Sequence, residues 1–297
     1  MNLLITGAFP ATAAQLAEFE AHGFRVDLQA DEREKTANPE KYNAVICNAL
    51  FLYNDIRSFS SLRTIQLTSA GRDRLPEEEI GKRGITVYTA GNAYSVPMAE
   101  WAVFSLLSIY KNARFLQEHR GEWVKNRSVG ELYGKNAAIF GFGNAGEETA
   151  KRLKAFGCRV TAVDRREIVS PYADEYIPAR DAARALRKAD ILVISMPLTG
   201  ETERFFDKEK LSLCKDTAAI VNIARGRLID EAALTDELRR GRFLGAALDV
   251  FETEPLPPDS PLYTLKNVYL SPHNSFVGEG NGARLFGIIR KNLFAEA

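Results

Sequence analysis

The stretch Ala137-Ala138-Ile139-Phe140-Gly141-Phe142-Gly143-Asn144-Ala145-Gly146 decides how the rest of the chain is read. The apolar run to Phe140 predicts a strand, the glycines a turn, and the residues up to Phe156 a helix. Gly157 suits the stop. The glycines of such a turn serve three ends, namely a tight reversal, close approach of backbone to a pyrophosphate, and close packing of helix on strand. The helix start offers free N–H groups and positive dipole to phosphates. The next strand, 159–163, ends at Asp164, a carboxylate placed to accept from ribose hydroxyls and to repel a 2′-phosphate. That favours NAD, although Arg165 and Arg166 follow at once and keep NADP open.

Strands and helices alternate on both sides of this unit. Before it, strands are expected at 3–5, 24–28, 44–47, 64–67 and 85–88, with a helix over 11–21. Pro97-Met98-Ala99-Glu100 opens a long helix whose apolar residues, Trp101 to Tyr110, nearly encircle it and predict burial all round. After it come strands at 191–195, 218–223, 246–250 and 268–270, and helices at 181–188 and 231–240. Alternation of this kind implies parallel sheets with crossover helices. The fold class is therefore α/β, with two doubly wound parallel-sheet lobes. The tail from about Gly282 to Phe294 has helical spacing, with an apolar stripe at Leu285, Phe286, Ile289 and Leu293 that needs a partner. Residues 1–96 plus 276–297 are expected to form one discontinuous lobe and 97–275 the other. Ligands are expected at the carboxyl ends of the strands, in the cleft between lobes.

Composition narrows the partners. The 297 residues carry 39 basic and 39 acidic side chains, so no global field would hold nucleic acid or an anionic membrane. No apolar run reaches the length of a membrane span. Cys47, Cys158 and Cys214 stand far apart with no clustered Cys/His set, which argues against a disulfide framework or a metal site and fits a reducing cytoplasm.

Three further clusters lie just beyond strands of the second half. They are Val221-Asn222-Ile223-Ala224-Arg225-Gly226-Arg227, Leu248-Asp249-Val250-Phe251-Glu252-Thr253-Glu254-Pro255, and Ser271-Pro272-His273-Asn274. An arginine, a glutamate and a histidine at strand ends of one lobe can converge. With Met196–Thr202 (MPLTGET), these motifs in this order resemble the D-isomer-specific 2-hydroxyacid dehydrogenase family over nearly the whole chain. The resemblance implies a flavodoxin-like substrate lobe, a Rossmann-type NAD lobe and a homodimer. It implies that Arg225 binds the substrate carboxylate and carbonyl oxygen, that His273 is the acid/base, and that Glu254 pairs with it, Glu252 being the other candidate. Ala70 and Gly71 match the loop whose amides hold the substrate carboxylate. Gly141, Gly143, Asn144, Ala145, Gly146, Asp164, Met196, Pro197, Thr202, Ile223, Ala224, Asp249 and Asn274 fall at cofactor-contacting positions, Asp249 at that of the nicotinamide carboxamide.

The chemistry asks for these residue types. Ketone reduction needs a proton on the forming alkoxide, which a histidine supplies and recovers near neutral pH. A neighbouring carboxylate favours the imidazolium and orients it. A guanidinium grips a carboxylate in two places. Asn48 to Tyr53 lacks the arginines that phosphoglycerate enzymes of the family place there for phosphate. Arg72 and Arg74 offer either a second anion site or a solvated turn. Phe276 stands where the family has small residues, and Trp123 and Tyr133 are either partner-facing or core aromatics. His22 and His119 read as solvated. The expected function is interconversion of a 2-ketoacid and a D-2-hydroxyacid; an NAD-sensing binding protein on the same fold is the alternative.

Overall fold

The structure, a computed structural model, describes residues 1–294. Its backbone divides into two compact units, Met1–Ala93 with the segment from Glu279 onward, and Tyr94–Gly278.

In the first unit the chain runs β1 (Asn2–Thr6), α1 (Ala13–Ala21), β2 (Arg25–Gln29), β3 (Ala44–Cys47), α2 (Leu50–Tyr53), β4 (Thr64–Leu67), α3 (Glu77–Arg83) and β5 (Thr86–Tyr88). The sheet order is β2-β1-β3-β4-β5, every pair parallel. This is the flavodoxin-like order. β3 and β4 are buried at every residue, the mark of strands covered on both faces. β2, at the edge, carries Arg25 and Asp27 and stays largely exposed. α1 starts on a capping box, in which the Thr12 hydroxyl accepts from Gln15 N and the Gln15 side chain accepts from Thr12 N. The C-terminal helix, Asn281–Leu293, belongs to this unit. It buries Leu285, Ile289 and Leu293. Phe286 and Phe294 meet Phe19 edge-on, and Asn292 Nδ2 donates to the fully buried Gln66 Oε1 at 2.8 Å.

The second unit begins with α4 (Ser95–Tyr110) and α5 (Ala113–Glu118). It continues β6 (Asn136–Phe140), α6 (Asn144–Ala155), β7 (Arg159–Asp164), β8 (Glu175–Pro178), α7 (Ala182–Lys188) and β9 (Ile191–Ile194). Then come α8 (Lys208–Leu213), β10 (Ala219–Asn222), α9 (Glu231–Arg239), β11 (Gly245–Leu248) and β12 (Val268–Leu270). The order β12-β11-β10-β9-β6-β7-β8 is parallel throughout. The chain reverses its direction of travel between β6 and β9, and crevices for ligands form at such switch points. Ala102, Leu106, Ala150 and Leu153 of α4 and α6 pack with Ile139 and Val160 of the sheet.

The fold class is that expected, with local corrections. α4 is not buried all round: Phe104 is 65% exposed. An apolar stripe in sequence records what could be covered, not what this chain covers. β8 has no counterpart among the strands expected from sequence, because Glu175-Tyr176-Ile177-Pro178 is a polar edge strand ending in proline. No described helix is long and apolar enough to cross a membrane, and no group of three or more His, Cys, Asp or Glu among the described residues could hold a metal.

All three cysteines are buried and free. Burial pushes the Cys158 and Cys214 thiols up to about 11 and Cys47 well above the ordinary thiol range. The thiolate is the reactive species. The native protein should therefore leave Ellman's reagent unreacted over minutes and release three equivalents on unfolding. A fast stoichiometric reaction of the native protein would contradict this burial.

Candidate active site

The glycine turn after β6 is built as close backbone packing. Gly141 has φ +85°, and a Cβ there would lie 2.4 Å from Met196 Cα. A Cβ on Gly146 would lie 2.2 Å from Gly141 O. Gly143 is different: nothing stands within 4 Å of where its Cβ would be. The open space at Gly143 faces no protein atom and leaves room for a ligand to approach the backbone closely. No side chain caps the start of α6. Ser195 Oγ donates to Gly141 O at 2.7 Å and so ties the turn to the end of β9. Asp164 ends β7; its Oδ2 accepts from Phe142 N at 2.8 Å and its Oδ1 from Arg166 N at 3.0 Å. The carboxylate is thereby fixed beside the turn. A cradle open at one glycine, a bare helix start and a held carboxylate fit a dinucleotide's pyrophosphate and ribose.

Arg225 follows β10. Asn222, fully buried, staples its loop: Nδ2 donates to Arg225 O at 2.9 Å and Oδ1 accepts from Ala224 N at 3.0 Å. A Cβ on Gly226 would fall 1.8 Å from the Phe251 carbonyl carbon, so only glycine lets this loop lie against the segment after β11. The Arg225 side chain is half-buried and donates to Ala224 O at 2.8 Å.

Past β11 and β12 the acidic and histidine segments meet. His273 Nδ1 and Glu254 Oε2 are 2.8 Å apart, and Glu254 Oε1 accepts from Phe251 N at 3.1 Å. With Nδ1 donating to Glu254, Nε2 is the nitrogen left to exchange a proton with a ligand. Glu252 turns elsewhere: it exchanges hydrogen bonds with Glu231 and lies 3.6 Å from Arg204 Nε. Burial raises the Glu231 carboxyl above its ordinary range. Phe276 meets His273 and Tyr94 edge-on, at 6.2 and 5.6 Å between centroids. A cavity of about 630 Å³ opens beside the pair, walled by Phe251, Leu256, Tyr263 and Leu270.

The remaining sequence candidates distribute as follows. Ile223 and Ala224 are buried in the Arg225 loop, and Asn144 and Ala145 open α6. Met196 is buried against Gly141, Pro197 is exposed, and Thr202 braces their loop by donating to Pro197 O at 2.8 Å. Asp249 and Asn274 are bonded to each other, Asn274 N to Oδ1 at 2.7 Å. Ala70 and Gly71 lie in the first unit, in the loop after β4, where Ser69 Oγ donates to Gly71 O. Arg72 there is committed to Glu77, at 2.6 Å. His22 and His119 stack on Phe294 and Phe115. Trp123 and Tyr133 are 97% and 78% exposed, so neither is a core aromatic of this chain. The bracing residues Asn222, Ser195 and Ser271 were not singled out from sequence; polar side chains directly after apolar strands were the available signal.

Comparison with known proteins identifies the family. Residues 103–275 match the family described as D-isomer specific 2-hydroxyacid dehydrogenase, NAD binding domain. The glyoxylate reductase of Thermococcus kodakarensis is 35% identical over 99% of this chain and 92% of its own. The D-3-phosphoglycerate dehydrogenase of Methanocaldococcus jannaschii is 37% identical over 73% of this chain, and the match spans only 42% of that relative's length. An NADPH-dependent glyoxylate/hydroxypyruvate reductase of Sinorhizobium meliloti, solved with NADP and malonate, superposes with a TM-score of 0.81 at 25% identity, covering 99% of this chain and 92% of that one. The chain belongs to the D-isomer specific 2-hydroxyacid dehydrogenase family, whose members are NAD(P)-dependent oxidoreductases.

The two glycines separate folding from binding. Gly146→Ala should cost about 1–3 kcal/mol of stability, the usual range for overpacking. Gly143→Ala should melt near wild type yet bind NADH at least tenfold more weakly, because its Cβ would enter only the open space beside the start of α6. Thermal melts and NADH fluorescence titrations check both. A Gly143→Ala protein with normal NADH affinity would contradict this placement of the cofactor.

Proposed function

We propose that the protein reduces a small, unphosphorylated 2-ketoacid to the D-2-hydroxyacid, with NADH favoured over NADPH, and that it does so as a homodimer. The observation that carries the reading is the 2.8 Å contact of His273 with Glu254 at the same sheet edge as Arg225 and the glycine turn. The nicotinamide supplies the hydride. Arg225 holds the substrate carboxylate and the carbonyl oxygen. His273 gives its Nε2 proton to the oxygen as the alkoxide forms, and Glu254 steadies the resulting charge change through Nδ1. Phe276 flanks the His273 ring edge-on and is itself met by Tyr94.

NADH preference rests on Asp164, whose fixed carboxylate opposes a 2′-phosphate. Arg165 points toward Glu201 at 3.6 Å, and Arg166 lies 3.6 Å from Asp164 itself. The unphosphorylated substrate rests on Asn48-Ala49-Leu50, a loop without cations, and on the pairing of Arg72 with Glu77. The homodimer rests on the exposed apolar side chains of Phe104, Leu116 and Trp123. A solution mass near the 33.0 kDa of one chain would contradict it.

The test is a panel of ketoacids (glyoxylate, hydroxypyruvate, pyruvate, phenylpyruvate, 2-ketoisocaproate, oxaloacetate) with NADH and NADPH. Turnover with at least one ketoacid is expected, faster with NADH. His273→Gln should lower kcat roughly 10²–10⁴-fold with NADH binding kept, the usual share of general acid–base catalysis. Arg225→Lys should cost on the order of 2–5 kcal/mol in kcat/KM, since a point charge does not reproduce a bidentate fork. NADH binding with no turnover on any ketoacid would instead favour a cofactor-sensing binding protein. A tenfold preference for NADPH would overturn the reading of Asp164.

A further inference from the structure

The seven-stranded sheet has a second edge, at the amino ends of its strands, and a cavity of about 380 Å³ opens there. It is lined by residues that lead into five adjacent strands: Asn267 before β12, Leu244 before β11, Thr217 before β10, Asp190 before β9 and Lys135 before β6. Ile109 and Tyr110, at the end of α4, line it from another side, and Lys266 adds a second lysine. All of these residues belong to the second unit. The glycine turn, Arg225, Glu254 and His273 follow strands and so stand at the opposite edge of the same sheet.

The amino edge of a parallel sheet faces the negative ends of its crossover helices, which disfavours anions. Here those charges are already answered. Leu107 O, Ile109 O and Tyr110 O, at the end of α4, accept from Lys111 N, Asn112 N and Gly130 N. Asp190, the carboxylate of the lining, is equally committed: Oδ2 accepts from Asn136 N at 2.9 Å and Asn136 Nδ2 at 3.1 Å, and Oδ1 accepts from Lys215 Nζ at 2.8 Å. Burial works against its charge, yet those bonds hold the carboxyl below its ordinary range. Two ammonium groups are left over. Among the described residues neither Lys135 nor Lys266 makes an ion pair; Lys135 Nζ lies 5.9 Å from the centre of the Tyr110 ring. Ser128 and Thr217 bring hydroxyl donors to the same lining.

We propose that this cavity is a second ligand site, for a small phosphate monoester, separate from the dehydrogenase centre. Lysines present point charges rather than a planar fork, which suits a phosphate. Ile109, Leu244 and the Tyr110 and Tyr269 rings give the body of the ester an apolar wall. The volume is that of an ordinary small-molecule pocket. Because the cofactor cradle lies at the other edge of the sheet, this ligand and NADH bind together rather than in competition.

The probe is inorganic phosphate, and the reference is sodium chloride at equal ionic strength. Thermal melts are run with and without saturating NADH, which displaces phosphate from the glycine turn but not from the amino edge. Phosphate at about ten times its Kd should raise the Tm of the wild type by roughly 2–4 °C beyond chloride, with NADH present. Lys135→Gln and Lys266→Gln should each shrink that rise, and the double variant should abolish it. Both side chains are at least partly exposed, so all three variants should melt near wild type without phosphate, and NADH-dependent turnover should be unchanged. Lys82→Gln, which removes a lysine from α3 of the first unit, should keep the full rise. A wild type that gains no more from phosphate than from chloride overturns the proposal. So does a double variant that keeps the rise, or a rise that NADH removes, since the anion then sits elsewhere.

Discussion

The carboxyl edge of the seven-stranded sheet depends on backbone meeting backbone where no Cβ fits. Gly141 lies on Met196, Gly146 on Gly141, and Gly226 on Phe251. Any side chain at these places would separate loops that must touch. The contacts draw the ends of β6, β9, β10 and β11 into one compact rim. On that rim each chemical group needs only a short local device to be aimed.

Those devices are polar side chains, Asn222, Thr202 and Asp249 buried and Ser195 partly so, that bond loops of the rim. Asn222 staples the Arg225 loop, Ser195 the glycine turn, Thr202 the loop after Met196, and Asp249 the His273 turn. A polar group in such a place is costly unless satisfied, so each one strongly prefers the loop conformation that satisfies it. The sheet thus supplies position and the braces supply orientation. The cavity beside Glu254 adds an apolar wall on one side of the pair. Gly143 differs from Gly141, Gly146 and Gly226, since nothing stands within 4 Å of its Cβ position.

Much of this was legible in the sequence, for physical reasons. Fully buried parallel strands such as Ala44–Cys47 and Ile191–Ile194 read as unbroken apolar runs. The glycine turn and Asp164 follow spacings that a strand–turn–helix unit imposes, whereas the choice of Glu254 over Glu252 comes from the family resemblance. The edge strand Glu175–Pro178 was not legible, because a strand with one covered neighbour needs little hydrophobicity. The exposure of Phe104 and Trp123 was not legible either, since residue type does not say which surface covers it. The enclosure of the Asp249 carboxylate by residues 271–275 is a tertiary event that leaves no periodicity along the chain.

The central claim is that His273, held by Glu254, moves the proton that accompanies hydride transfer. The most direct measurement is a paired pH–rate profile, ketoacid reduction and hydroxyacid oxidation by the same preparation. Reduction needs the imidazolium and oxidation the neutral ring. Reduction should therefore fall as pH rises and oxidation as pH falls, both through the same ionisation. Glu254→Gln should lower the rate in both directions, because the ring loses the partner at Nδ1 that orients it. Two profiles that move in the same direction with pH, or that ignore Glu254→Gln, would contradict the account.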